Sequence, residues 1–456
     1  MSRLRARFSL AKLQEQHPLI DRAVCVARRR LYAERWFRRG PSKRGTPSGR
    51  TFVIFNHCYD LDAEALVAAD TPHTLWVLDP FQLFTDVHLY FPPEQRDLNC
   101  VYGEGAMRDS ISWFKNAWVR AFAKELVART QLDAFITPAD TFYYLRPLIE
   151  ELRVLGVPTV VQDKEGTIAP GAMMEAHAQM MAERYPPIAE LYVFWNHRVR
   201  EYWRRIGLPD DRARIVGQPR SDFFFHAERW PAKSSLGLTD NKKLVVAFTY
   251  DADTYLRTTE ALPDRPWKKL RDDMHGAMRA LASERRDVEI VIKAHPQQVE
   301  LAEVIAEFAA EPQANVKVMA GAGTASHLLV RADVIVGFQS TVMIEAMLTK
   351  KPVIYAGWGD THARHAENLV PIHASGGCSL PRDRSDLDRM LRAALDGRHV
   401  PSADELAARR AFTDLYFFGA DGSVSQRVLQ TVADLVSQAR DERVDENAPR
   451  RIARDE

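Results

Sequence analysis

The sequence lacks any apolar run approaching the roughly 20 residues that a membrane-spanning helix needs, and its opening, MSRLRARFSLAKLQ, lacks the apolar core and small-residue cleavage site of a signal peptide. The expected location is therefore the cytosol. Cysteine is scarce and scattered: Cys25, Cys58, Cys100 and Cys378 form no CxxC pair, which argues against a disulfide framework and against a zinc site. No repeat of short period is visible. D-x-D strings occur at Asp60–Asp62 and Asp251–Asp253, but so short a pattern arises by chance, and no metal is assigned.

What is present is an ordinary globular composition, 46% hydrophobic, in a chain of 456 residues, long enough for about two to three domains. The net charge of +1 hides an asymmetry: residues 1–50 carry 14 Lys and Arg against 3 Asp and Glu, leaving 48 against 58 in the rest. The stretch 19–39, LIDRAVCVARRRLYAERWFRR, mixes large apolar residues with arginines at near-helical spacing. It suits an amphipathic helix on an anionic membrane surface; the alternative is a solvated basic helix packed on the body. Nucleic acid is not an expected partner, because no recognition motif accompanies the charge.

After a Pro/Gly/Ser-rich linker (40–49), β-branched runs alternate with helix-period segments. Strands are expected at 51–57, 73–79, 132–138, 157–163, 189–196 and 213–219, then, after a break near 230–237, at 243–250, 287–296, 315–320, 333–338 and 352–357. Two such βαβ series predict two doubly wound α/β domains, 51–225 and 240–415, behind a basic segment and linker at 1–50, with a cleft between their facing strand ends. The charged tail 438–456 is expected to be disordered.

The most informative stretch is 332–358, ADVIVGFQSTVMIEAMLTKKPVIYAGW, which reads as strand, short helix, strand. Gln339, Ser340 and Thr341 stand where the first strand gives way to the helix. Either hydroxyl can cap it, leaving N–H groups aimed beyond the strand end as an anion site, and Glu345 follows one turn later, placed to accept from a ribose hydroxyl. The strand 287–293 runs into KAHP, which sets Lys293 and His295 on the same edge, two groups that can be cationic and can stabilise a departing phosphate.

These residues carry a resemblance. VIKAHP followed by DVIVGFQSTVMIEAMLTKKPVIYAG is similar to the nucleotide-binding half of GT-B glycosyltransferases, and most of all to capsule and surface-polysaccharide transferases, bacterial polysialyltransferases and CDP-glycerol glycerophosphotransferases. ARIVGQPRSDFF (213–224) resembles the G-N-P-R-x-D signature of surface-carbohydrate members, with Gln218 for the usual Asn. The resemblance implies a GT-B fold of two tandem Rossmann-like domains, acceptor-binding first and donor-binding second. It implies that His295, Ser340 and Thr341 bind the donor phosphate and Glu345 the ribose, with basic groups and helix ends in place of a metal or cofactor. The segment YFFGADGSVSQRVLQTVADLV resembles the closing F-x-x-x-D-G-x-x-x-x-R helix, which implies that 416–437 crosses back to the first domain and that Asp421, Gly422, Ser423 and Arg427 help close the cleft.

In the first domain, VPTVVQ runs into Asp163-Lys164-Glu165-Gly166, where the glycerophosphotransferases carry a base motif with histidine. Here the base that takes the acceptor proton is Asp163 or Glu165; the geometry of a strand end before a glycine favours Glu165, although spacing does not separate the two. Asn56, His57 and Asp140 also follow strands on this edge and are candidate acceptor-binding residues. The function expected is transfer of a sugar or polyol phosphate from a nucleotide-activated donor to a surface glycan or lipid-linked acceptor. A UDP-sugar 2-epimerase and a non-catalytic nucleotide- or glycan-binding protein are the rival readings.

Overall fold

The computed structural model describes residues 37–39, 49–57, 59–78, 87, 90–96, 101–166, 172–253, 265–295, 298–321 and 324–446, without the side chains of 37–39, 172–173 and 440–446. Six parallel strands build the first sheet: β2 (Thr51–Phe55), β3 (Thr74–Leu78), β4 (Ala134–Thr137), β5 (Thr159–Gln162), β6 (Leu191–Phe194) and β7 (Ala213–Ile215). They lie in the order β3-β2-β4-β5-β6-β7, and β1 (Phe37–Arg39) joins the β3 edge antiparallel. The second sheet is wholly parallel, β10-β9-β8-β11-β12, from β8 (Lys243–Phe248), β9 (Val288–Lys293), β10 (Val316–Met319), β11 (Val334–Gly337) and β12 (Val353–Tyr355).

All eleven expected strands are present; the central ones are short β-branched runs buried on both faces, the pattern a helix-covered parallel sheet requires, while the edge strands β7 and β10 are partly exposed. The strand β1 is a correction: residues 37–39 pair with Trp76–Leu78 instead of continuing a helix, and the rest of the basic stretch 19–36 lies outside the described residues. A second correction concerns the tail. The last helix runs Val424–Glu446, so 438–446, expected to be disordered, is helical. Its earlier turns bury Val424, Val428, Leu429, Val432 and Val436 in one cluster with Phe52, Ile54 and Ile136 of the first sheet, and 438–446, rich in helix formers, extends an already nucleated helix.

In each sheet the strand order reverses once, between β2 and β4 and between β8 and β11. The loops leaving the carboxyl ends of strands at such a switch point diverge and leave a crevice. No described helix is long and apolar enough to cross a membrane.

Candidate functional site

The two crevices face one another across a single cavity of about 270 Å³. The first domain contributes Tyr59–Asp62, Lys164 and Glu165; the second contributes Phe248–Tyr250, Lys293–His295, Phe338–Val342 and Glu345; Arg220, from the segment after β7, stands between them.

On the second-domain side, β9 delivers Lys293 buried at its last position, where Nζ donates to Ala294 O and Gly321 O, both at 2.8 Å. Burial pushes this ammonium down to about 8. His295, two residues on, is exposed in the cavity; burial, and then the neighbouring Lys293 charge, pull its pKa down, while Glu165 and Asp251 push it the other way. After β11, Ser340 supplies the N-cap of the helix Thr341–Ala346, its Oγ accepting from Val342 N at 3.4 Å, and Thr341 opens the helix on the cavity wall.

Two expected ligands prove to be engaged by the protein. Gln339 donates from Nε2 to Tyr355 Oη (2.8 Å) and Val370 O (2.9 Å) and accepts from Val370 N (3.0 Å), so its amide braces β11 against β12 and the 370 loop. Glu345, 2% exposed, accepts from Arg220 Nε at 2.7 Å, Gln218 Nε2 at 3.1 Å and Ser326 Oγ at 3.3 Å. All three partners are side chains of this chain, and Glu345 also lines the cavity.

On the first-domain side, the structure separates the two candidate bases. Asp163 is buried behind the wall: Oδ2 accepts from Trp203 Nε1 at 2.6 Å and Oδ1 from Glu165 N at 2.8 Å, and burial pushes its pKa up to about 7 against those two bonds. Glu165 lines the cavity beside Lys164, 3.9 Å away, with its side chain 64% exposed. Gly166 packs its Cα on the Trp195 ring so closely that an added Cβ would fall 1.9 Å from ring carbon Cε3, and its carbonyl accepts from Asn196 Nδ2 at 3.0 Å. Asn196 also caps the helix His197–Arg205 through Val199 N and donates to Tyr416 O. The turn that presents Glu165 is thus braced from three directions.

The three candidate acceptor residues lie off the cavity wall. Asp140 is a correction: it is fully buried, and its Oδ2 accepts from Ile188 N (2.8 Å), Ala189 N (3.3 Å) and Tyr192 Oη, which ties β4 to the loop before β6. Asn56 donates to Asp60 Oδ1 at 2.8 Å. His57 sits edge-on to Phe142 at 4.9 Å, and burial, with the Lys164 charge, holds its pKa at about 4, so its ring is neutral near pH 7. Within the D-x-D strings, Asp251 accepts from Val299 N and Glu300 N ahead of the helix Leu301–Ala310, and Asp62 pairs with Arg220. Among the described residues no group of three or more His, Cys, Asp or Glu is arranged to hold a metal.

Sequence reasoning singled out 213–224 by its resemblance but gave its residues no role in joining the two walls. In the run Gly217-Gln218-Pro219-Arg220-Ser221-Asp222, Gly217 has φ +111°, where an added Cβ would meet Phe418 O at 2.5 Å. Gln218 and Arg220 reach Glu345, while Asp222 accepts from Val424 N (3.0 Å) and Ser425 N (2.8 Å), capping the last helix from a distant segment. Two opposite charges beside a glycine and a proline, at the end of a strand series, were the available signal.

Two doubly wound domains with a shared cleft, one wall offering a carboxylate and the other a histidine, a lysine and a capped helix, define a GT-B transferase acting on a nucleotide-activated donor. The chain belongs to the CDP-glycerol:poly(glycerophosphate) glycerophosphotransferase family, whose sequence model matches residues 177–434. Among solved structures it is similar to a variant of the wall teichoic acid polymerase TagF, at 13% identity over 97% of this chain and 99% of that one, with a TM-score of 0.49. It is also similar to S. aureus MnaA with UDP (12% identity, 85% and 97% covered, TM-score 0.47) and to the UDP-GlcNAc 2-epimerase of Neisseria meningitidis bound to UDP-GlcNAc (11%, 84% and 100%, 0.47). No curated protein sequence matches the chain.

Proposed function

We propose that this protein transfers a polyol phosphate, or a sugar, from a nucleotide-activated donor to a hydroxyl of a surface-glycan or lipid-linked acceptor, without a metal or cofactor. The observation that carries this reading is the sharing of one cavity by Glu165 from the first domain and His295 and Thr341 from the second. With CDP-glycerol as donor, the acceptor hydroxyl attacks the phosphorus that carries glycerol. Glu165 takes its proton, and the bond to the nucleoside phosphate breaks. CMP then departs toward His295, Ser340 and Thr341, whose donors stabilise the charge it gains, helped by the positive field of Lys293. Asp163 holds the loop that carries Glu165. Acceptors of this kind are anchored in lipid, and the basic stretch 19–36 is the segment we assign to that surface on the cytoplasmic side.

The test is release of free CMP from CDP-glycerol in the presence and absence of a glycerophosphate-primed lipid acceptor. Release is expected to require the acceptor, and His295→Ala to slow it by about 10²–10³-fold, the loss seen when one donor to a developing anion is removed. Release independent of acceptor and indifferent to His295→Ala would sink the reading. A UDP-sugar epimerised with its nucleotide still attached would support the epimerase instead.

A further inference from the structure

The linker side chain Arg220 is held by carboxylates from both domains. Its Nη1 donates to Asp62 Oδ2 at 2.8 Å, on the first-domain helix Asp60–Ala68, and its Nε to Glu345 Oε1 at 2.7 Å, on the second-domain helix Thr341–Ala346. Its backbone N donates to Asp62 Oδ1 at 3.1 Å, and the guanidinium lies over the Trp195 ring at 4.6 Å. Asp62 is 1% exposed and Glu345 2%, so two carboxylates removed from water share one cation. Gln218 and Ser326 complete the shell of Glu345.

We propose that Arg220 is a positioning residue that couples the donor site to the first domain, by holding Glu345 and Asp62 in one buried triad so that the two walls of the cleft stay aligned. The physical reason is the cost of its removal. Without the guanidinium, two buried carboxylates face each other, and they do not both remain ionised out of water. Either one takes up a proton or the domains part. Burial already pushes Asp62 toward its neutral form, with Glu345 adding to that push and the Arg220 charge opposing it.

Other titratable groups share this neighbourhood. Tyr59, Asp60, Lys164, Glu165, Lys293 and His295 line the same cavity, and His327 meets Glu64 at 3.6 Å between the helix Ala325–Arg331 and the helix that bears Asp62. Of these, Tyr59 also feels the Arg220 charge, so loss of the pH dependence on adding Asp62→Asn is what assigns it to the triad.

The decisive experiment is hydrogen exchange on ligand-free wild type and Arg220→Met at pH 6 and pH 8, combined with CDP-glycerol affinity from thermal shifts. The donor arm rests on the reading of the cleft above; the exchange arm does not. In Arg220→Met, exchange in 60–68 and 341–346 is expected to exceed wild type at pH 8 and to approach it at pH 6, where one proton replaces the guanidinium. CDP-glycerol affinity relative to wild type is expected to fall as pH rises, by at most about tenfold per pH unit, because one proton is linked to alignment. Adding Asp62→Asn to Arg220→Met removes the repulsion and should abolish the pH dependence. If Arg220→Met does not fold, Arg220→Lys serves: an ammonium lacks the planar fork that spans both carboxylates, so both segments should loosen, by less. Wild-type exchange in both segments, or a uniform increase indifferent to pH, overturns the inference. If wild type itself fails to bind CDP-glycerol, the donor reading falls while the exchange result still decides the role of Arg220.

Discussion

The two walls of the cleft reach the same cavity by different routes. On the second-domain side, Lys293 and His295 continue β9 and Ser340 and Thr341 continue β11, so the wall is set by strand ends and by partners within that domain, such as Gly321, Tyr355 and Val370. On the first-domain side, the turn at 163–166 takes its shape from Trp195, Asn196 and Trp203, and through Asn196 from Tyr416, 220 residues further along the chain. The comparison teaches that the second wall's residues are placed by local strand-to-helix geometry, whereas the carboxylate of the first wall is oriented by long-range packing.

The largest effect that sharpens this contrast belongs to Glu165. Glu165→Gln keeps the braced turn but removes the proposed base; kcat for acceptor-dependent CMP release is expected to fall by about 10²–10⁴-fold, with CDP-glycerol binding by thermal shift unchanged. A variant with near-normal kcat would break the comparison, since the first wall would then supply no base.

Gly166→Ala tests the bracing itself. A methyl 1.9 Å from the Trp195 ring forces the turn or the indole to move, and overpacking of this sort destabilises by about 1–3 kcal/mol. Activity should fall with stability, and urea unfolding together with kcat measures both. An equally active, equally stable variant would show that Trp195 does not set the turn.

Asp222→Ala removes the carboxylate that caps the helix Val424–Glu446 from the junction. Loss of about 1–2 kcal/mol is expected by denaturant unfolding, while a local surface charge would shift stability hardly at all.

The remaining effect is one of pH. Burial pushes Asp163 up to about 7, above its unfolded value near 4. The folded protein therefore holds a proton there that the unfolded chain has released. The stability this contributes is fully present below about pH 4 and is lost as pH rises through 7. Relative to Asp163→Asn, wild type should lose up to about 1.4 kcal/mol per pH unit across that window. Parallel stability curves for the two proteins would show that Asp163 is not buried as described.

By itself, the sequence determined the parallel strands, the two domains and the placement of Lys293, His295, Ser340 and Thr341 at strand ends, because buried strands and the turns after them are written in a few adjacent residues. Only the tertiary structure separated Asp163 from Glu165 in space, since one carboxylate meets Trp203 and the other meets the cavity. It also withdrew Asp140 into the interior, committed Gln339 to Tyr355 and Val370, and gave Glu345 to Arg220, 125 residues earlier in the chain. Each of these depends on a partner brought near by folding, and a polar side chain's neighbours, unlike its strand or helix, are not encoded within its own stretch of sequence.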